Sequence, residues 1–390
     1  MIPYGRQDIS QADIDRVVEV LKGDFLTQGP MVPKFEAAVA AGSQVNHAVA
    51  VNSATSALHI ACLALGVGPG DYVWTSPNSF VASSNCALYC GAKVDFVDID
   101  KDTYNISVEA LEFKLIQAEK QGTLPKVVIP VHFAGQAPEM DKIHILSKKY
   151  GFKIIEDASH AIGASYKGKP VGNCEYSDIT IFSFHPVKII TTGEGGMALT
   201  NDEKIYATLY RLRSHGITRD VNQMVNLPHG PWYYEQIELG FNYRMTDIQA
   251  ALGYSQYQRL NEFVSKRHQI ANTYFELFKN KPVILPKQMP DSYSSFHLFV
   301  LQLKLEELES SQTQIFERFR NSGILVNLHY IPIYRQPYYS KMGFKIEDFP
   351  NMEEYYSRAL SIPMYPGLTN DQLKEIVLRL TTPIGHQTLF

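Results

Sequence analysis

The chain has 390 residues, 45% hydrophobic and 19% charged, with a formal net charge of -4. That is the balance of a globular protein with an ample core, and at this length two domains are expected. The near-neutral charge, with no run rich in Lys and Arg, argues against nucleic acid or anionic membrane as the main partner, so the ligand should be small.

Met1-Ile2-Pro3-Tyr4 is followed at once by polar residues, and no apolar stretch approaches bilayer length. A cytoplasmic protein with neither leader nor membrane anchor is therefore expected. Cys62, Cys86, Cys90 and Cys174 form no CxxC pair and no ligand-spaced set with histidine, so they read as buried thiols and no metal site is expected.

The first expected element is a helix over Asp8 to Lys22, with Ser10 as N-cap and Ile14, Val17, Val18 and Leu21 on one apolar face; it ends at Gly23. A polar and aromatic loop, Phe25 to Pro30, precedes a helix around Val32 to Ala41. Such an arm reaches a ligand or a second subunit in some proteins and only clamps the surface in others.

Strand and helix patterns alternate from Val49 onward. Ala48 to Val51 reads as a strand, Asn52-Ser53-Ala54-Thr55-Ser56 as a run of small polar residues, and Ala57 to Leu65 as a helix. Free N–H groups at a helix start, beside Ser and Thr hydroxyls, suit a phosphate, although the same residues serve as ordinary caps. Further strands are expected at Tyr72 to Thr75, Val94 to Val97, Val127 to Val131 and Lys153 to Ile155. Ile99 to Lys126 reads as a helix with polar flanks. The sheet should be largely parallel, with ligands beyond the strand C-termini, near Ser76 to Phe80 and Glu156 to His160.

Asp157 closes an apolar strand, where a carboxylate needs a positive partner such as a protonated ring nitrogen; capping a following helix is the alternative. His160, one helical turn later, could face the same cavity or be structural. Ile179, Ile181, Phe182 and Phe184 read as a buried strand ended by Pro186, and Ile189 and Ile190 follow Lys188. Burial lowers a lysine's pKa, and a neutral amine is what a Schiff base requires, while a lysine snorkelling to the surface is the other reading. Gly66 to Gly70 and Thr192 to Gly196 lack the spacing of a dinucleotide fingerprint and read as turns.

A strand at Met197 to Thr200 and a helix at Glu203 to Arg213 lead to an aromatic segment with Trp232, Tyr233 and Tyr234. Thr246 then caps a long helix from Asp247 to about Phe278. Strands near His297 to Leu303 and Leu325 to Tyr330, a helix at Thr313 to Arg320 and two last helices near Glu353 to Leu360 and Asn370 to Leu380 make a small α/β unit. The expected division is an arm over 1–30, a large domain over 31–250, and a linker helix with a small C-terminal domain over 251–390.

Several motifs together resemble the fold-type I, pyridoxal 5'-phosphate (PLP)-dependent aminotransferases of the DegT/DnrJ type, which act on nucleotide sugars. They are Asn52 to Leu58, Gly68-Pro69-Gly70-Asp71, Glu156-Asp157-Ala158-Ser159-His160, Ser183-Phe184-His185-Pro186-Val187-Lys188 and Asn242 to Gly253. The resemblance implies an α/β fold with a mostly parallel sheet, Lys188 as the Schiff-base lysine, and Asp157 on the pyridine nitrogen. By the same resemblance Phe80 stacks on the ring, Ala54, Thr55 and Ser183 bind the phosphate, and Ser56 belongs to the cofactor site. His160 stands where most of the family has glutamine and is assigned, with Lys188 and Asp157, to the catalytic and cofactor-binding residues. Asn242 is implied to reach the neighbouring subunit's phosphate in a homodimer with shared sites.

His185 and the segment Asn327-Leu328-His329-Tyr330-Ile331-Pro332-Ile333 narrow the resemblance to the 4-aminotransferases of pseudaminic acid biosynthesis. Those enzymes aminate a UDP-linked 2-acetamido-2,6-dideoxy-4-keto-L-hexose. Tyr4, Asp24, Phe25, Leu26, Thr27, Ser183, His185, Asn242, Tyr330, Ile331, Pro332 and Ile333 would contact that sugar nucleotide, with L-glutamate as amino donor. Lys188 would carry a proton between substrate and cofactor as base and then acid. A dehydratase of the same family carries histidine at the Lys188 position. A non-catalytic regulator and a different NDP-4-keto sugar remain as alternatives.

Overall fold

The computed structural model describes residues 1–381. Its centre is a seven-stranded sheet in the order His47–Val51, Gly196–Thr200, Ile179–Ser183, Lys153–Asp157, Val127–Ile129, Tyr72–Thr75, Lys93–Phe96. The inner strands are nearly continuous apolar runs, as strands covered on both faces must be. Only Gly196–Thr200 runs against its neighbours; the other adjacent pairs are parallel. Each expected strand of this sheet is present to within two residues. All four cysteines are free and buried, and among the described residues no helix is long and apolar enough to cross a membrane.

One core packs Val49, Ile60, Phe96, Ile129, Ile155 and Ile181 under the helices on one side of the sheet. Others pack Phe35, Phe182, Phe184 and Phe263, or Trp74, Leu111, Leu115 and Met140. A further core joins Ile270 to Leu380 around a three-stranded sheet of Val283–Ile284, Phe299–Leu303 and Ala359–Ile362. Ile333, Tyr334, Tyr339 and Tyr355 belong instead to the first core, so the late segment is clamped onto the central sheet.

Four expected elements differ. The N-terminal helix, Gln11–Leu21, has the expected Ser10 cap, closed into a capping box by Asp13. Its buried residues are Asp13 and Val20, however: Asp13 is fully buried and accepts from Gln256 Nε2 at 2.7 Å. Ile14 and Leu21 are 47% and 54% exposed, so the apolar face points outward. The long helix is two, Asp247–Gln258 and Leu260–Phe278, because Arg259 leaves helical geometry (φ -102°, ψ 6°). Arg259 there pairs with Asp8 at 2.9 Å, which ties the arm to the break. The helix expected to run to Leu360 is Pro350–Arg358, and Leu360 lies in the buried strand Ala359–Ile362 beside Phe299–Leu303. Leu325 to Tyr330 is no strand: only Asn327 pairs with Ser361, because Tyr330 N–H turns away to Asn78 Oδ1 at 3.2 Å.

Candidate active site

A cavity of about 570 Å³ opens at the C-terminal ends of the central strands. Strand Lys153–Asp157 delivers Asp157 to it, Ile179–Ser183 delivers Ser183, and the turn after Tyr72–Thr75 delivers Ser79 and Phe80. Lys188 enters from the turn that follows Ser183, held by its own N–H to His185 O at 2.9 Å and by the buried Ile189 and Ile190. Burial draws its amine down from 10.5 to about 8, against the opposing pull of Asp157.

Asp157 is 4% exposed and does not cap a helix, since a turn follows it. Its Oδ1 accepts from Ser159 Oγ at 2.6 Å and Ser159 N–H at 3.2 Å, and its Oδ2 accepts from Ser83 Oγ at 2.5 Å. These three bonds give the buried carboxylate the polar partners it needs away from water.

His160 Nδ1 accepts the Ala134 N–H at 3.2 Å, so the neutral ring carries its proton on Nε2 and donates to Tyr330 Oη at 3.1 Å. The Tyr330 hydroxyl proton is then free to point into the cavity. Desolvation, with Lys188 and His329 nearby, pushes the His160 imidazole well below its usual range. His329 is drawn down to about 3 by burial and by Lys188. His297, 4.3 Å from His160 between ring centres, is also drawn far down by burial. Lys188 thus lies among uncharged imidazoles. The His297 segment is pinned by buried Arg267, which donates to the carbonyls of Phe296, His297 and Met364 at 3.0–3.1 Å.

The opposite wall is the start of helix Ala54–Ala64. Ser53 caps it by accepting from Ser56 N–H at 3.1 Å, which leaves the Ala54 and Thr55 N–H groups at the cavity as first-turn donors. Gly196, paired with Ser183, lies against this turn: a Cβ there would stand 2.4 Å from Ala54 N and 2.5 Å from Ser53 C. Only a glycine permits that approach, which leaves a concave, donor-lined cradle fit for a phosphate dianion.

The cavity brings together Tyr4, Ala54, Thr55, Phe80, Asp157, His160, Ser183, His185, Lys188 and Tyr330. Tyr4 is fixed there by its carbonyl, which accepts Met364 N–H at 2.9 Å. Ser56 lies off the lining, its hydroxyl donated to Asn52 Oδ1 at 2.7 Å. Ile333 is a correction: it is fully buried in the core, with its N–H on Pro77 O, and cannot contact a ligand in this cavity. Asp24, Phe25, Leu26, Thr27, Asn242 and Ile331 are exposed and outside it; Pro332 is buried and also outside it. Asp247 anchors the arm segment by accepting the Gly29 and Met31 N–H groups, both at 2.7 Å.

Sequence reasoning missed Ser83, Ser159, His297, Asn327, His329 and Glu194. Ser159, two residues after Asp157, and Asn327 and His329, in the segment Asn327 to Ile333, carried a signal; Ser83, His297 and Glu194 carried none. The lining described here contains no arginine.

The profile of the DegT/DnrJ/EryC1/StrS aminotransferase family matches residues 7–381. A Campylobacter jejuni protein named UDP-4-amino-4,6-dideoxy-N-acetyl-beta-L-altrosamine transaminase is 40% identical over 367 residues, 94% of this chain and 93% of its own. The solved structure of Helicobacter pylori PseC, an aminotransferase involved in the biosynthesis of pseudoaminic acid, superposes with a TM-score of 0.88 at 31% identity, covering 97% of this chain and 98% of that one. Spr1654 of Streptococcus pneumoniae, solved in a PMP-form and a PLP-form, gives TM-scores of 0.87 and 0.86 at 29% and 28% identity. Coverage is 97% of this chain in both cases, and 98% and 97% of the other.

Proposed function

Because the chain belongs to the DegT/DnrJ/EryC1/StrS aminotransferase family, and is a PLP-dependent sugar aminotransferase, we propose that it aminates C4 of a UDP-linked 2-acetamido-2,6-dideoxy-4-keto-L-hexose. The amino donor is L-glutamate and the product UDP-4-amino-4,6-dideoxy-N-acetyl-β-L-altrosamine. The observation that carries the reading is the Lys188 amine, drawn to about 8 in a cavity that also holds the Asp157 carboxylate. The names of the Campylobacter and Helicobacter relatives support the substrate.

Lys188 would hold the cofactor covalently, Asp157 would face its ring nitrogen, and Ala54, Thr55 and Ser183 would receive its phosphate. Bound there, PLP supplies an electron-accepting ring that stabilises negative charge on the carbon beside the transferred nitrogen. The Lys188 amine would take the proton from that carbon as base and return it as acid. Its lowered pKa suits both tasks near neutral pH. The buried imidazoles keep positive charge away from the amine, and the Tyr330 hydroxyl is a donor for the sugar. A sugar ketone has no carboxylate, so hydroxyl and aromatic contacts suffice for it without an arginine clamp.

The active unit is a homodimer with shared sites. Asn242 is exposed on a single chain, and the outward apolar residues of the arm, including Phe25 at 57% and Leu26 at 48%, are surface that a second copy would cover. The domain division 31–250 and 251–390 and a cytoplasmic location complete the reading. A panel of UDP- and dTDP-linked 4-keto sugars, assayed with glutamate, tests it. The expected result is highest kcat/KM on the UDP-linked L-configured ketone; a clear preference for its C5 epimer, or for a dTDP sugar, would overturn the substrate assignment.

A further inference from the structure

Ser83 belongs to no motif that marks this family member, yet it is 1% exposed and touches the carboxylate at the centre of the site. It lies in the first turn of helix Ala82–Tyr89, three residues after Phe80. Its oxygen stands 2.5 Å from Asp157 Oδ2 and 2.7 Å from Ser79 Oγ. A serine hydroxyl has one proton, and an ionised carboxylate can only accept. That proton therefore goes to Asp157, and Ser79 must be the donor to Ser83. The order is Ser79 O–H to Ser83 O–H to Asp157 Oδ2, a chain in which each bond polarises the next.

Counting acceptor sites gives this chain a consequence. A carboxylate offers about four lone-pair directions, two on each oxygen. Ser159 fills both on Oδ1 with its hydroxyl and its N–H, and Ser83 fills one on Oδ2. The direction left over is the second one on Oδ2, in a residue that lines the cavity. Without Ser83 the carboxylate would have two open directions on Oδ2 and a freer torsion about its last bond.

Resting on the functional reading above, we propose that Ser83 is a positioning residue: by occupying one lone pair of Asp157 Oδ2, with Ser79 behind it, it aims the other at the cofactor's ring N–H. Helix Ala82–Tyr89, entered directly from Phe80, thereby sets both the ring's stacking partner and the direction of the bond to its nitrogen.

The test compares wild type, Ser83→Ala and Ser83→Thr, each loaded with PLP labelled with 15N in the ring. In wild type the ring nitrogen should show a protonated resonance. In Ser83→Ala it should move toward the unprotonated value, and kcat should fall about 10-fold with the sugar KM unchanged, the scale of one hydrogen bond to a charged group. Ser83→Thr, which keeps the hydroxyl, should restore both. A Ser83→Ala enzyme with the wild-type resonance, or with a moved resonance that Ser83→Thr does not restore, would overturn the proposal while leaving the aminotransferase reading intact. A wild-type protein that takes up no PLP would overturn both.

Discussion

Replacing Gly196 by alanine tests the cradle where its geometry is tightest. The new methyl would stand 2.4 Å from Ala54 N, 2.5 Å from Ser53 C and 2.6 Å from Ala54 Cα, all backbone atoms that no side-chain rotation can clear. Ordinary contact needs roughly 3.4 Å or more, so the strand and the helix start must part by about 1 Å, and overpacking of this kind costs about 1–3 kcal/mol. The same shift carries the Ala54 and Thr55 N–H groups off the phosphate position. Losing one charge-assisted hydrogen bond is worth about 1.5–3 kcal/mol, so PLP affinity should fall roughly 10- to 100-fold. Chemical denaturation of the apo-protein reads the first effect and absorbance titration with PLP the second. Gly68→Ala is the control, since nothing lies within 4 Å of the added methyl, and it should leave both measurements within error. A Gly196→Ala protein that binds PLP as tightly as wild type would refute the cradle.

Three further outcomes follow from the structure. Because the Lys188 amine is drawn from 10.5 to about 8, it is neutral over more of the pH range; the rate at which apo-protein takes up PLP covalently should rise with pH to a plateau above about 8, and a midpoint near 10 would contradict the burial argument. In the same apo-protein the unfolded chain binds more protons than the folded one between about 8 and 10.5, so this lysine's penalty is fully present below that window and fades as pH rises through it. Denaturant midpoints across that range check the sign. Ile333→Ala should cost about 2–5 kcal/mol of stability, as a fully buried aliphatic does, with little change in the sugar KM at a temperature where it stays folded. A raised KM at full stability would return Ile333 to the substrate site.

The central sheet was legible because its strands are buried on both faces, so Val127–Ile129 and Ile179–Ser183 are almost unbroken apolar runs. Lys188 and Asp157 stood out for the same reason: a charge at the end of such a run needs a partner. Ser83 sent no such signal, since it sits among Ser79, Ser84 and Asn85, and only the packed helix shows which hydroxyl meets Asp157. His297 was silent too, and His329 stood in a quoted segment without a role, because a histidine's place depends on segments that meet only in three dimensions. Periodicity misplaced the face of Gln11–Leu21: the capping-box aspartate turns inward to Gln256 and leaves Ile14 and Leu21 outside. It also carried a helix through Leu360, since an amphipathic helical run and a short buried strand look alike once the chain turns at Ala359.

The most direct test of Lys188 as the cofactor-holding residue is borohydride reduction of the PLP-loaded protein followed by peptide mapping. The label should fall on the peptide carrying Lys188 at one equivalent per chain, and prior incubation with L-glutamate should abolish it by moving the cofactor into its amino form. Label on any other lysine, or label on Lys188 that glutamate leaves untouched, would contradict the assignment.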